Sequence, residues 1–358
     1  MNDATLDERP ARSRATETHI DVIRRLQAKI DDVTRPFVAQ LQETPFSLLD
    51  FPDYPNVGDS AIWAGQLAWL RRSVQSAPTY TCDHRTEVST LERDLADGPI
   101  LLSGGGNFGD LWETLQGFRE NVYSHFGRHR PIMQLPQSIH FDRPESVESA
   151  RSAVARARQL TLLVRDLPSF EFANANFDCT VALCPDMAFA LGPLERIGAP
   201  QIDVLLLLRG DKEGIDSSRM TQALPPGWSI EDWLDDDRLI YPRTKLTSVL
   251  RAVAQLRVRG GDRFVRRHYR QESLIANRMK RGLSQLSRAR YIITDRLHVH
   301  ILSTLMGIPH CFLDNSYGKI SRFSAAFSTK WTGCSSAQNL NEAVGIAHDW
   351  LAAHGAAR

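Results

Sequence analysis

From Phe46 onward, short apolar runs alternate with amphipathic stretches of about helix length, and that rhythm restricts the folds open to the chain. The runs "FSLLDF" (46–51), "TYTC" (79–82), "PILLS" (99–103), "PIMQL" (131–135), "LTLLV" (160–164) and "TVALC" (180–184) predict strands, with helices over 59–72, 111–125, 144–157 and 168–174. Strands joined by helical crossovers predict a parallel sheet covered on both faces. A break, "LGPLERIGAP" (191–200), interrupts the series, which resumes with "DVLLLLRG" (203–210), "YIIT" (291–294) and "HCFLD" (310–314). The expected fold is α/β, two doubly wound, Rossmann-like domains facing a cleft, with ligands at the carboxyl ends of the strands. Residues 1–45 are read as a tail and a helix, 46–195 as the N-terminal domain and 196–358 as the C-terminal domain, with a charged insert at about 211–290.

Composition narrows the function classes. With 42% hydrophobic and 24% charged residues, the chain has enough apolar surface for ordinary cores. A formal net charge of +1 gives no reason to expect nucleic acid as a partner. The longest apolar run, "VLLLL" (204–208), suits a buried strand and not a membrane span, and the polar N-terminus lacks the apolar centre of a secretion signal. Five scattered cysteines (82, 179, 184, 311, 334) form no CxxC pair, which fits reduced thiols in a cytoplasmic protein and no metal site. Residues 238–290 hold 15 Arg or Lys against two acids, after an acid-rich stretch at 211–237. This basic segment is either a solvated helix face or a surface for anionic lipid, a peripheral membrane contact.

Unusual residues cluster where the expected strands end. "NVGDSAI" (56–62) places Asn56, Gly58 and Asp59 before a helix, where Asp59 or Ser60 suits the cap and backbone amides can face an anion. "LLSGGGNFGD" (101–110) puts Gly104, Gly105, Gly106 and Asn107 after a strand, and three glycines there invite close approach of a ligand. Arg165, in "VRDLPS" (164–169), leaves a buried strand toward the cleft, Pro168 suits a helix start, and Asp186 in "LCPDMAF" (183–189) suits a cap. In "TDRLHVHILSTLMGIP" (294–309), Asp295, Arg296 and His298 stand at a seam between buried strand and buried helix. Asp295 suits a cap, Arg296 presents a planar fork for carboxylate or phosphate, and His298 is of the one side-chain type here whose unperturbed titration lies near neutral pH. Lys319 follows the next strand. Three cations and one acid/base suit a small, highly charged anion that undergoes proton transfer. The plainer alternative pairs Arg296 with Asp295 or Asp314 and leaves His298 as filling.

Taken in order with "QLPQSI" (134–139) and "DNSYGK" (314–319), these motifs resemble the polysaccharide pyruvyl transferase family, and bacterial exopolysaccharide members in particular. The resemblance implies a fold similar to the glycosyltransferase-B architecture. It implies phosphoenolpyruvate as co-substrate without a further cofactor, and a sugar diol, free or lipid-linked, as the acceptor that becomes a pyruvate ketal. In this sequence it implies Arg165, Arg296 and Lys319 as donor-binding residues and His298 as general acid/base. Asp59 becomes a candidate base for the acceptor hydroxyl, and Asn56, Gly104, Gly105, Gly106 and Asn107 a ligand loop. Such an enzyme would work in the cytoplasm, at the inner face of the membrane if its acceptor is lipid-linked. Two rivals stand beside it: a nucleotide-sugar glycosyltransferase on the same architecture, and a non-catalytic polysaccharide-assembly protein.

Overall fold

The computed structural model describes residues 17–209, 225–233, 236, 238–259, 263–314 and 318–355. Most of the N-terminal tail, the acidic stretch at 211–224 and residues 315–317 of "DNSYGK" lie outside the described residues. The first sheet contains β1 (Ser47–Leu49), β2 (Tyr80–Thr81), β3 (Ile100–Leu102), β4 (Gly105–Gly109), β5 (Ile132–His140), β6 (Leu160–Val164) and β7 (Thr180–Leu183). Its order is β2-β1-β3-β5-β6-β7, all parallel, and β4 continues beyond β3 along the second half of β5. With it run α1 (His19–Glu43), α2 (Val57–Trp69), α3 (Val88–Asp94), α4 (Glu113–Phe126), α5 (Pro144–Arg156) and α6 (Leu167–Asn176). The second sheet has β8 (Ile202–Leu207), β9 (Trp228–Glu231), β10 (Ala289–Thr294), β11 (His310–Leu313) and β12 (Cys334–Ala337), parallel in the order β12-β11-β10-β8-β9. Its helices are α7 (Ile240–Arg259), α8 (Arg263–Ser287), α9 (Leu297–Leu305), α10 (Lys319–Ala326) and α11 (Leu340–His354).

Central strands are buried on both faces, as parallel strands under helices must be, which is why "SLL", "ILL" and "VLLL" read as unbroken apolar runs. Strands without that signature escape sequence reading. β4 is glycine-rich, and β9 and β12 lie at the sheet edges with half-buried, partly polar residues. The break at 191–200 lies in the connection between the two sheets. One apolar core nevertheless runs through both, from Val22, Leu26 and Ile30 of α1 and Ile62 of α2 to Leu205 and Leu207 of β8 and Leu302 and Leu305 of α9. Among the described residues, no helix is long and apolar enough to cross a membrane.

Two buried polar arrangements hold the loops beyond the strands. Arg278 of α8 is fully buried and donates to the Pro52 carbonyl (2.9 Å), Asp236 (2.9 Å) and the Tyr241 hydroxyl (2.7 Å). Close by, Gly282 lies against α2, where a Cβ would stand 2.3 Å from Val57. In the first sheet, buried Arg119 donates to Gln134 (2.9 Å), Gln116 (2.7 Å) and Asn107 Oδ1 (2.9 Å), and lies 3.8 Å from Asp50. Asp50 follows β1 at φ +68°, a left-handed conformation uncommon outside glycine.

These arrangements predict two stability effects. Arg278→Ala leaves the Pro52 carbonyl without its donor and Asp236 with Arg281 as its remaining charge partner, and should lower unfolding free energy by about 1–3 kcal/mol, read from the denaturant midpoint. Burial pushes the Asp50 carboxyl from 3.8 up to about 6, more than Arg119 pulls it down. The folded chain therefore holds this proton more tightly than the unfolded chain, so the penalty for ionising Asp50 is absent below pH 3.8 and complete above about pH 6. Asp50→Asn keeps the side-chain shape and tolerates the left-handed backbone. It should gain about 3 kcal/mol on the wild type as pH rises through that window, measured by urea unfolding across it.

Candidate active site

The carboxyl ends of both sheets meet at a cavity of about 510 Å³. Strand order reverses between β1 and β3 in the first sheet and between β8 and β10 in the second, the positions where open α/β sheets take ligands. Tyr54, Asn56 and Asp59 come to the cavity after β1, and Gly106 and Asn107 after β3. Arg209 comes after β8, and Arg296 and His298 after β10. Arg165 reaches the wall from the end of β6 and Lys319 from the first residue of α10. Eight of the ten site residues expected from sequence thus share one cavity. Gly104 and Gly105 do not line it; they are buried in and beside the start of β4.

Asp186 ties the two sheets together at this place. It accepts from Arg165 in a buried ion pair, caps the turn after β7 through Ala188 N (2.8 Å), and lies 3.4 Å from His298 Nε2. Burial pushes the Asp186 carboxyl up, but Arg165 and His298 hold it well below the usual carboxylate range, so it stays ionised. The Arg165 Nε also donates to Ser138 Oγ (3.0 Å), which donates to Asp166 (2.6 Å). Arg165, expected to hold a donor anion, therefore arrives with its charge already balanced. Its other edge faces Gly106, where a Cβ would stand 2.8 Å from Nη2.

His298 is fixed from the opposite side by α2. A Cβ at Gly58 would stand 2.3 Å from His298 Nδ1, so only glycine permits this approach of helix to imidazole. The helix starts there because Asn56 Oδ1 accepts from Gly58 N (2.7 Å); Asn56, and neither Asp59 nor Ser60, is the cap. Released from capping, Asp59 points into the cavity. Burial pushes its carboxyl up, and His298 and Arg165 do not fully offset this. Burial, with Asp59 and Asp50, keeps the Tyr54 phenol protonated far above its usual range. Asn107 is set by Arg119 and by Gln137 (2.9 Å each).

The cationic wall comes from the second sheet. Arg296 pairs with Asp232, not with Asp295 or Asp314. Asp295 does not cap α9 either: it accepts from Arg209 N (2.9 Å), while the Arg296 backbone N–H donates to Thr294 Oγ1 (3.0 Å). Asp314 accepts from Ile320 N (3.2 Å) and Ser321 N (3.3 Å) at the start of α10. Tyr54, Trp112 and Arg209 belong to the wall and were not singled out from sequence. Arg209 carried a usable signal, a cation at the carboxyl end of an apolar strand, the same signal that pointed to Arg165.

Away from the cavity, strand pairing sets His310 beside Cys334 and α9 brings His300 to them, a grouping hidden by their separation in sequence. His300 Nδ1 lies 2.8 Å from His310 Nε2 and 4.0 Å from Cys334 Sγ. A directed chain from Ser324 through Thr329, His300 and His310 to the Ile308 carbonyl satisfies these groups with both rings neutral. Burial favours that state: it holds His300 well below its usual value, lowers His310 to about 4 and pushes the Cys334 thiol up to about 12.

Comparison with known proteins places this cavity in context. Residues 56–317 match the family model for polysaccharide pyruvyl transferase, a span that includes nearly the whole cavity wall. Pyruvyl transferase 1 of Schizosaccharomyces pombe is 34% identical, over 77% of this chain and 68% of that protein. A putative pyruvyl transferase of Bacillus subtilis, EpsO, is 29% identical, over 76% of this chain and 82% of its own. Among solved structures, a functionally uncharacterized Klebsiella pneumoniae protein covers 88% of this chain with a TM-score of 0.53 at 17% identity, a likeness of fold alone. On the family match and the yeast relative together, this chain belongs to the polysaccharide pyruvyl transferase family.

Proposed function

We propose that the chain transfers the enolpyruvyl group of phosphoenolpyruvate to two hydroxyls of a sugar, forming a pyruvate ketal in polysaccharide biosynthesis, with its two sheets acting as two domains about a glycosyltransferase-B-like cleft. One observation carries this reading: Arg209, Arg296 and Lys319 from the second sheet converge with His298 and Asp59 on a single cavity at both strand-order reversals. Phosphoenolpyruvate carries a carboxylate and a phosphate, and guanidinium forks and an ammonium match both. Arg165 keeps Asp186 charged beside His298 and so acts as a positioning residue.

The residues fit a balanced sequence of proton transfers. His298, as an imidazolium beside ionised Asp186, gives a proton to the methylene carbon, leaving the enol carbon electrophilic. A sugar hydroxyl forms the new C–O bond there and loses its proton to Asp59, whose raised affinity for protons suits a base. The C–O bond to phosphate then breaks, the second hydroxyl adds to the same carbon, and its proton leaves with the released phosphate. Trp112 and Trp233 offer flat apolar faces on the cavity wall for the carbon face of a sugar ring.

The direct assay mixes the protein with phosphoenolpyruvate and a panel of hexose-terminated acceptors. Phosphate should be released only when an acceptor is present, and the product should gain one pyruvate less one water. His298→Ala should lower kcat about 10²–10⁴-fold. Gly58→Ala, which touches no substrate, should displace the imidazole and lower kcat about 10²-fold with the circular dichroism spectrum unchanged. Turnover that survives both substitutions would remove His298 from the mechanism.

A further inference from the structure

Helix α7 is amphipathic in reverse. Among the described side chains of α7, Ile240, Thr244 and Ser248 are buried, spaced by four residues on one face, and α7 packs along α8. The two hydroxyls are satisfied within the helix, Thr244 on the Ile240 carbonyl (2.8 Å) and Ser248 on the Lys245 carbonyl (2.7 Å). The opposite face carries Leu246, Val249, Leu250 and Val253, of which the two leucines are 61% and 59% exposed. Spacings of three and four residues align these four into one stripe. Exposed Lys245 borders the stripe on one side and exposed Arg243 on the other. Isolated exposed aliphatic residues need no explanation, but a helix that turns its aliphatic stripe outward between cations does.

We infer that α7 is a membrane-docking helix that lies in the surface of an anionic bilayer, its stripe among the acyl chains and its bordering cations on lipid phosphates. Interfacial helices carry this pattern of aliphatic stripe and flanking Lys or Arg. Charge selects this occupant over a second copy of the chain, because a stripe-to-stripe contact would set these cations against their own kind. The cationic edge continues into a cavity of about 300 Å³ whose wall includes Lys245, Arg266 and Arg270, the last paired with Asp53 (3.2 Å). The helix is also tied to the candidate active site. Its partner α8 bonds the Pro52 and Pro55 carbonyls through Arg278 (2.9 Å) and Arg281 (3.0 Å), and the loop between them carries Tyr54. A docked α7 would therefore hold the cavity wall near the bilayer surface, where a lipid-linked sugar presents its head. The docking itself does not depend on pyruvyl transfer.

The test is co-sedimentation of the full chain with phosphatidylcholine vesicles, with and without phosphatidylglycerol, in the absence of any substrate. The protein should bind the phosphatidylglycerol vesicles and be released by added salt. Leu246→Glu with Leu250→Glu should weaken binding at least about tenfold, and Lys245→Glu about fivefold. The substituted leucines are exposed, so circular dichroism should report an intact fold. Three results would each overturn the inference: no vesicle binding, equal binding to vesicles without phosphatidylglycerol, or binding unchanged by the leucine substitutions. Sedimentation velocity supplies the remaining arm. A dimer that Leu246→Glu dissolves, in a protein that ignores vesicles, would make the stripe an interface between copies.

Discussion

Asp186 is held between Arg165 from the first sheet and His298 from the second, and the cavity takes its form from that contact. A buried ion pair gains little net stability, since both groups give up water. Its consequence here is positional. Arg165 keeps Asp186 ionised, Asp186 draws His298 toward the first sheet, and the glycine at position 58 lets α2 close against the imidazole. The result is an imidazole fixed at the seam of two sheets beside an ionised carboxylate.

Both sheets contribute to the wall around that seam. The first supplies Asp59, Tyr54, Asn107 and Arg165, and the second His298 with Arg209, Arg296 and Lys319. An anion bound across the cavity would meet Arg209, Arg296 and Lys319 on one side and Asp59 on the other, with His298 at the seam between them. Arg119, with no place on the wall, is buried among glutamines beside β4, where it holds Asn107.

Much of this was legible in the chain. Parallel strands buried on both faces show as apolar runs, and residues directly after such runs arrive at the carboxyl edge, which is how Arg165, Arg296 and His298 could be found. What stayed hidden depends on partners far apart in sequence. Asp232 takes Arg296, where neighbouring Asp295 and Asp314 seemed natural, because Asp295 serves the Arg209 backbone and Asp314 the start of α10. Asn56 takes the cap and frees Asp59, a choice between adjacent residues that composition does not decide. β4 was hidden because glycine has no strand signature, and the stripe on α7 because its aliphatic residues face away from the core. A periodic pattern shows that a helix has two faces, not which one is covered.

The central claim is that the cavity at the two strand-order reversals binds phosphoenolpyruvate through its cationic wall. A thermal-shift titration tests it most directly, because a ligand that binds only the folded chain raises the melting temperature as its concentration passes the dissociation constant. Phosphoenolpyruvate should stabilise the wild type, and the effect should vanish in Arg296→Ala. Equal stabilisation of both proteins, or stabilisation by a nucleotide sugar where phosphoenolpyruvate gives none, would contradict the account.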